Sequence, residues 1–108
     1  MSAYVIANYT IHDPEKYAKY PPAVMPTIIQ YGGKTLVADH DLETKLLSTL
    51  PEKAKGAPHQ VFVIIEFESV EAAHRWWESP EYRAIKHYRE EASEGWGAIV
   101  PGFVMPTS

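Results

Sequence analysis

Val61-Phe62-Val63-Ile64-Ile65-Glu66-Phe67-Glu68-Ser69-Val70-Glu71-Ala72-Ala73-His74-Arg75-Trp76-Trp77-Glu78-Ser79-Pro80-Glu81-Tyr82 decides the fold of this chain. The first seven residues hold six β-branched or aromatic side chains and one acid, which predicts a strand buried on both faces. Ser69 is placed to accept from the free N–H groups of a helix running Val70 to Glu78, with Glu71 in its first turn. Ser79 repeats the signal, with Pro80 at the first helical position and Glu81 after it, and predicts a second helical stretch to about Ala92.

Upstream, Ala3 to Ile11 reads as a strand. Ala3, Val5, Ala7, Tyr9 and Ile11 share an apolar face, and Tyr4, Ile6, Asn8, Thr10 and His12 share one that turns polar from Asn8 onward. Asp13-Pro14-Glu15 starts a helix. Tyr17, Tyr20, Val24, Ile28 and Tyr31 recur at steps of three and four, which is one helical face. Pro21-Pro22 disfavours helical angles at Tyr20, so the spacing predicts a short turn over Pro14 to Lys19 and a helix from about Pro22 to Tyr31. Gly32-Gly33 ends it. Lys34 to Asp39 is a second strand, Asp39-His40-Asp41 a turn, and Glu43 to Leu47 a possible short hairpin partner. Ser48 to Gln60, with Pro51, Gly56 and Pro58, reads as a long loop. Downstream, Gly95-Trp96-Gly97 ends the helical region and Ala98 to Met105 is the last strand, at an edge because Pro101 cannot donate to a ladder.

The order β-α-β-β-α-β predicts a ferredoxin-like α+β domain over residues 1–108. Its four-stranded antiparallel sheet carries both helical regions on one face, with strands one and three central. The other sheet face is apolar too, and no helix remains to cover it, so a second copy of the chain is the expected cover.

Composition narrows the function classes. A chain of 108 residues is one domain. A net charge of -4 without a basic cluster argues against nucleic acid. No apolar run is long enough to span a membrane. Met1-Ser2-Ala3-Tyr4 has no basic flank, so no signal peptide is expected. The chain has no cysteine, which excludes disulfides, thiol nucleophiles and thiolate metal sites, and fits the cytoplasm.

The sequence resembles the DUF1330 proteins, a family of undefined function within the dimeric α+β barrel group. The matching residues are Tyr4-Val5-Ile6-Ala7, Asp13-Pro14-Glu15 with Tyr17 and Tyr20, Tyr31-Gly32-Gly33, Glu66 to Ala73 with Trp76, and Ser79-Pro80-Glu81-Tyr82. The resemblance implies a ferredoxin-like subunit whose sheet pairs with a second sheet in a homodimer. The wider group contains cofactor-independent monooxygenases, isomerases and lactone-processing enzymes, so no single reaction is implied. Pro21-Pro22 and the long stretch Leu47 to Gln60, without a nearby Gly-x-Trp, depart from the family pattern.

Several residues are candidates for chemistry. Asn8 and Glu66 interrupt neighbouring apolar strands. Under the helices, Glu66 beside Tyr17 or Asn8 would have a raised pKa and suit a general base. A structural hydrogen bond, or a strand-end acid facing water, is the plainer account. Among the aromatic residues, Tyr17, Tyr31, Trp76 and Tyr82 are the pocket choices, and also match the family pattern. Rings packing helices on a sheet explain them as simply. His12 could move protons at a pocket end, against the plainer reading of a solvated strand end. Arg89 could anchor a substrate carboxylate, or pair with a neighbouring acid. Glu71, His74 and Glu78 share a helix face, but that spacing is common on solvated helices, and no metal site is expected.

Two functions follow as expectations. One is a small enzyme without a bound cofactor, of isomerase, lyase or monooxygenase type, acting on a small aromatic or unsaturated organic compound. Glu66 or His12 would move protons there, and Asn8 and the tyrosines would orient the substrate. The other is a non-catalytic homodimeric small-molecule-binding or stress-related module using the same pocket. A purely structural dimer is the third and weakest reading.

Overall fold

The structure is a computed structural model that describes residues 2–47 and 59–106. Strand β1 (Ala3–Ile11) leads to α1 (Pro14–Tyr17), where the Asp13 carboxylate accepts from the Lys16 N–H. Then come α2 (Tyr20–Gln30) and β2 (Lys34–Asp39). A single 3-10 turn (Leu42–Thr44) precedes β3 (Val61–Phe67). Three helical pieces, α3 (Val70–Trp77), α4 (Pro80–Arg83) and α5 (His87–Glu90), lead into β4 (Ser93–Pro101). The sheet order is β2-β3-β1-β4 and every pairing is antiparallel. This is the expected ferredoxin-like α+β arrangement, with β1 and β3 central and the proline-bearing β4 at an edge.

Register decides which side chains face the helices. Val5 lies opposite Ile65 and Ile99, and Tyr9 opposite Val61 and Gly95. This face packs against Tyr17, Tyr20, Val24, Ile28, Ala73, Trp76 and Tyr82 to make the core. Each large apolar side chain buried there contributes about 1.5–3 kcal/mol by leaving water. Ile6, Phe62, Ile64, Val37 and Val100 occupy the other face and stay partly exposed. Among the described residues strand β3 is therefore covered on one face only. An apolar run does not say whether its second cover comes from the same molecule, and a second copy of the chain is the cover expected for this face.

Four local expectations are corrected. Tyr20 is helical, because Pro21 and Pro22 fall in the first turn of α2, where a missing N–H has no intrahelical partner to lose. Pro26 sits inside the same helix. Leu42–Thr44 forms a 3-10 turn, and the described part of Glu43 to Leu47 makes no hairpin strand. The stretch after Ser79 is two single turns rather than one helix to Ala92. Finally, β4 starts at Ser93 rather than Ala98. Gly95 lies against Tyr9 so closely that an added Cβ would sit 2.5 Å from the Tyr9 Cα, so this glycine permits close strand approach rather than stopping a helix. Gly32, with φ of 81°, is the residue that needs glycine's left-handed freedom, and it ends α2 as expected. The predicted Ser48–Gln60 loop lies largely outside the described residues.

Candidate functional site

A cavity of about 560 Å³ opens between the helices and the sheet. Its floor is the inward face of the strands, including Val5, Val63 and Ile65. Its walls bring together one tyrosine from β1, one each from α1, α2 and α4, two tryptophans of α3 and an arginine of α5.

Local sequence sets each wall residue. The Asp13-Pro14 start places Tyr17 one turn later, facing the sheet, and its hydroxyl lies 2.6 Å from that of Tyr9. The Ser79 hydroxyl accepts from the Tyr82 N–H at 3.1 Å and donates to the Trp76 carbonyl at 2.7 Å. One capping side chain thereby ties the end of α3 to the start of α4 and sets Tyr82 against Trp76, with ring centroids 4.3 Å apart. The Trp76 indole N–H donates to Thr27 Oγ1 at 3.0 Å, so the largest buried ring has its polar atom satisfied. The Tyr82 hydroxyl lies 3.0 Å from that of Tyr20 and receives an Arg89 N–H at 3.4 Å. Arg89 Cζ lies 6.0 Å from the ring centroids of both Tyr9 and Tyr20, so two π faces surround the cation.

The electrostatics follow from burial. Burial pushes the Tyr9, Tyr17 and Tyr20 hydroxyls above the ordinary value, so all three keep their protons at neutral pH. Burial alone would pull the Arg89 guanidinium down, but the hydroxyls of Tyr82 and Tyr20 beside it raise it overall, and it stays charged. The ion pairs among the described residues are Lys16 with Glu91, Lys45 with Asp39 and Lys86 with Glu90. Arg89 has no carboxylate partner among them. The cavity is thus a mostly aromatic chamber with the Arg89 cation and several hydroxyls at one end, and with Glu90, His40 and His74 also on its wall.

Of the residues singled out from sequence, the structure brings Tyr17, Trp76, Tyr82 and Arg89 onto the cavity wall. Tyr31 is elsewhere: its hydroxyl donates to Glu81 at 2.8 Å, a contact that holds Glu81 below the usual carboxylate range. Glu66 is not under the helices. It lies opposite Tyr4 on the outward sheet face and accepts from the Tyr4 hydroxyl at 3.3 Å, so the expected contact with Tyr17 does not form. Asn8 is on that outward face as well, and buried. Its amide donates to the carbonyls of His59 and Val61 and accepts from the His59 N–H, so it pins the chain entering β3. His12 is exposed, with its backbone N–H bound to the Ala92 carbonyl. Neither residue expected to move protons lines the cavity: strand alternation sends Glu66 to the far face, and His12 lies exposed just past the end of β1.

Sequence reasoning missed Tyr9, His40 and His74. The His40 ring meets Tyr17 edge-on, with centroids 6.3 Å apart. Tyr9 shares the inward parity of Val5, so the alternation in β1 was the available signal. His40 has no such signal, since its place depends on how β2 ends. Among the described residues no three His, Asp or Glu side chains gather as metal ligands, and no helix is long and apolar enough to cross a membrane.

The model of a family described as a domain of unknown function, DUF1330, matches residues 2–103. No curated protein matches the chain. Solved structures do. A protein of unknown function from Rhodopseudomonas palustris, RPA0582, superposes with a TM-score of 0.71 at 16% identity, over 96% of this chain and 84% of that one. SnoaB from Streptomyces nogalater, a cofactor-independent oxygenase, gives 0.62 at 11% identity, over 96% and 95%. The de novo designed protein Foldit4 gives 0.56 at 15% identity, over 95% and 100%. At these identities the likeness is one of fold.

Proposed function

The chain belongs to the DUF1330 family, and from that premise and the cavity we propose that it acts as a homodimer on a small aromatic or unsaturated organic compound, as an enzyme needing no bound cofactor. The observation that carries the reading is the aromatic cavity, within the size range of small-molecule sites and lined by apolar walls with a few convergent polar groups. SnoaB, described as a cofactor-independent oxygenase, has the same fold, which supports an enzyme of this type as a working class. Proton transfer in this reading belongs to groups on the cavity wall. The Tyr9–Tyr17 hydroxyl pair can donate to charge developing on a substrate oxygen, and the His40 ring stands edge-on to Tyr17 beside it. Tyr17, Trp76 and Tyr82 hold the flat substrate. The homodimer is supported by the apolar outer sheet face, where Ile6, Phe62, Ile64 and Val100 stay partly exposed among the described residues.

Native mass spectrometry of freshly purified protein is the test. A dimer carrying an organic mass is expected. Extracted and returned to ligand-free protein, that compound should be converted to a product of shifted mass or changed retention. A compound recovered unchanged would replace the enzyme with a binding module. A monomer would remove the argument from the sheet face.

A further inference from the structure

The hydroxyl-ringed guanidinium at the α5 end of the cavity gives the ligand a charge. We propose that Arg89, with the hydroxyls of Tyr82 and Tyr20, is the anion-recognition end of the cavity, and that the natural ligand is a flat aromatic carboxylate carrying a single negative charge. This rests on the reading of the cavity as a small-molecule site.

Three observations converge. First, Arg89 lies on the cavity wall without a carboxylate partner among the described residues, although Glu90 beside it in sequence is engaged by Lys86. A partly buried cation left without a counter-charge is costly, and a ligand anion removes that cost on binding. Second, the side chains around Arg89 are tyrosines, the Tyr82 hydroxyl and the Tyr9 and Tyr20 rings, with no carboxylate among them. Tyr82 accepts from it and is linked to Tyr20 at 3.0 Å, so the hydroxyls offer protons to an oxyanion without cancelling the arginine's charge. The planar fork of the guanidinium suits the two oxygens of a carboxylate, which a lysine would bind as a point charge. Third, most of the remaining wall is apolar or aromatic, with Val24, Ile28, Ile65 and Trp76 facing the same space, and the acid on it, Glu90, is paired with Lys86. An arginine without a carboxylate partner at one end and rings over most of the remaining wall select a body that is flat and apolar and a head that is singly charged.

The test is isothermal titration calorimetry at neutral pH with two probes of matched shape, 2-naphthoate and its uncharged methyl ester. 2-Naphthoate should bind at least about tenfold more tightly than the ester, since a charge-assisted hydrogen bond is worth about a factor of ten or more. In Arg89→Met, affinity for 2-naphthoate should fall by about 10- to 100-fold while the ester is unchanged, so the discrimination disappears. Arg89→Lys should keep part of it. Tyr82→Phe, which retains the ring against Trp76, should weaken 2-naphthoate by about 3- to 10-fold and leave the ester alone, and serves if Arg89→Met does not fold. Equal binding of the two probes to the unaltered protein would overturn the anion site while leaving the cavity reading intact, as would discrimination that survives Arg89→Met. Binding of neither probe would overturn both.

Discussion

Asn8 shows how one residue can have a clear reason that its neighbourhood in sequence conceals. A polar amide in an apolar strand suggests a site, but here it makes three hydrogen bonds with the backbone of His59 and Val61. Its task is to hold the entry to β3. Asn8→Ala would leave buried backbone groups without partners, which costs about 1–3 kcal/mol. Chemical denaturation should show that loss, and hydrogen exchange should quicken at His59, whose N–H donates to the Asn8 side chain. Glu66 makes the same point in reverse. Its pairing with Tyr4 was unreadable because the parity of a strand tells which residues share a face, not which face the helices cover.

At the scale of elements, the serine caps are the most informative feature of the chain. Ser69 accepts from the Ala72 N–H and Ser79 from the Tyr82 N–H, both as the sequence indicated. Cap signals are local, so they survive folding with little change. Ser79 also joins two elements, since it donates to the Trp76 carbonyl. Ser79→Ala should therefore cost about 1 kcal/mol or somewhat more in thermal unfolding. It should also weaken 2-naphthoate binding by loosening Tyr82, a change that helix fraying remote from the cavity would not produce. The elements that were misjudged are those whose punctuation has two meanings. Pro21-Pro22 signals either a break or a first turn, and Gly95 either a helix end or a close strand crossing. The Tyr9 backbone beside Gly95 decides the second case, and it is 86 residues away in the chain.

The whole molecule sets the behaviour of the tyrosines. Burial raises the pKa of Tyr9, Tyr17 and Tyr20 together, while the same residues in the unfolded chain ionise near the ordinary value of 10.0. A folded pKa above the unfolded one means that stability is intact below pH 10 and declines as the pH rises beyond it, because the unfolded state then releases protons that the folded state retains. Ultraviolet titration should show these three hydroxyls silent in the folded protein through pH 10. They should appear cooperatively with unfolding at higher pH. A full complement of tyrosines titrating near 10 with the fold intact would contradict the buried cluster.

The sequence by itself determined the class of fold, the strand order with β4 at an edge, and the caps that start α1, α3 and α4. These rest on short-range rules: alternation in strands, helical spacing, proline's missing donor and serine's competition for free N–H groups. It also pointed to Tyr17, Trp76, Tyr82 and Arg89, because large rings and a guanidinium at helix positions must go somewhere and the helix–sheet space can take them. Only the tertiary structure decided that these four meet with Tyr9 and Tyr20 around one cavity, and that Glu66, Asn8 and His12 do not. That decision depends on which sheet face the helices cover and on contacts between residues far apart in the chain. Such contacts arise from packing the whole core at once, and no local pattern carries them.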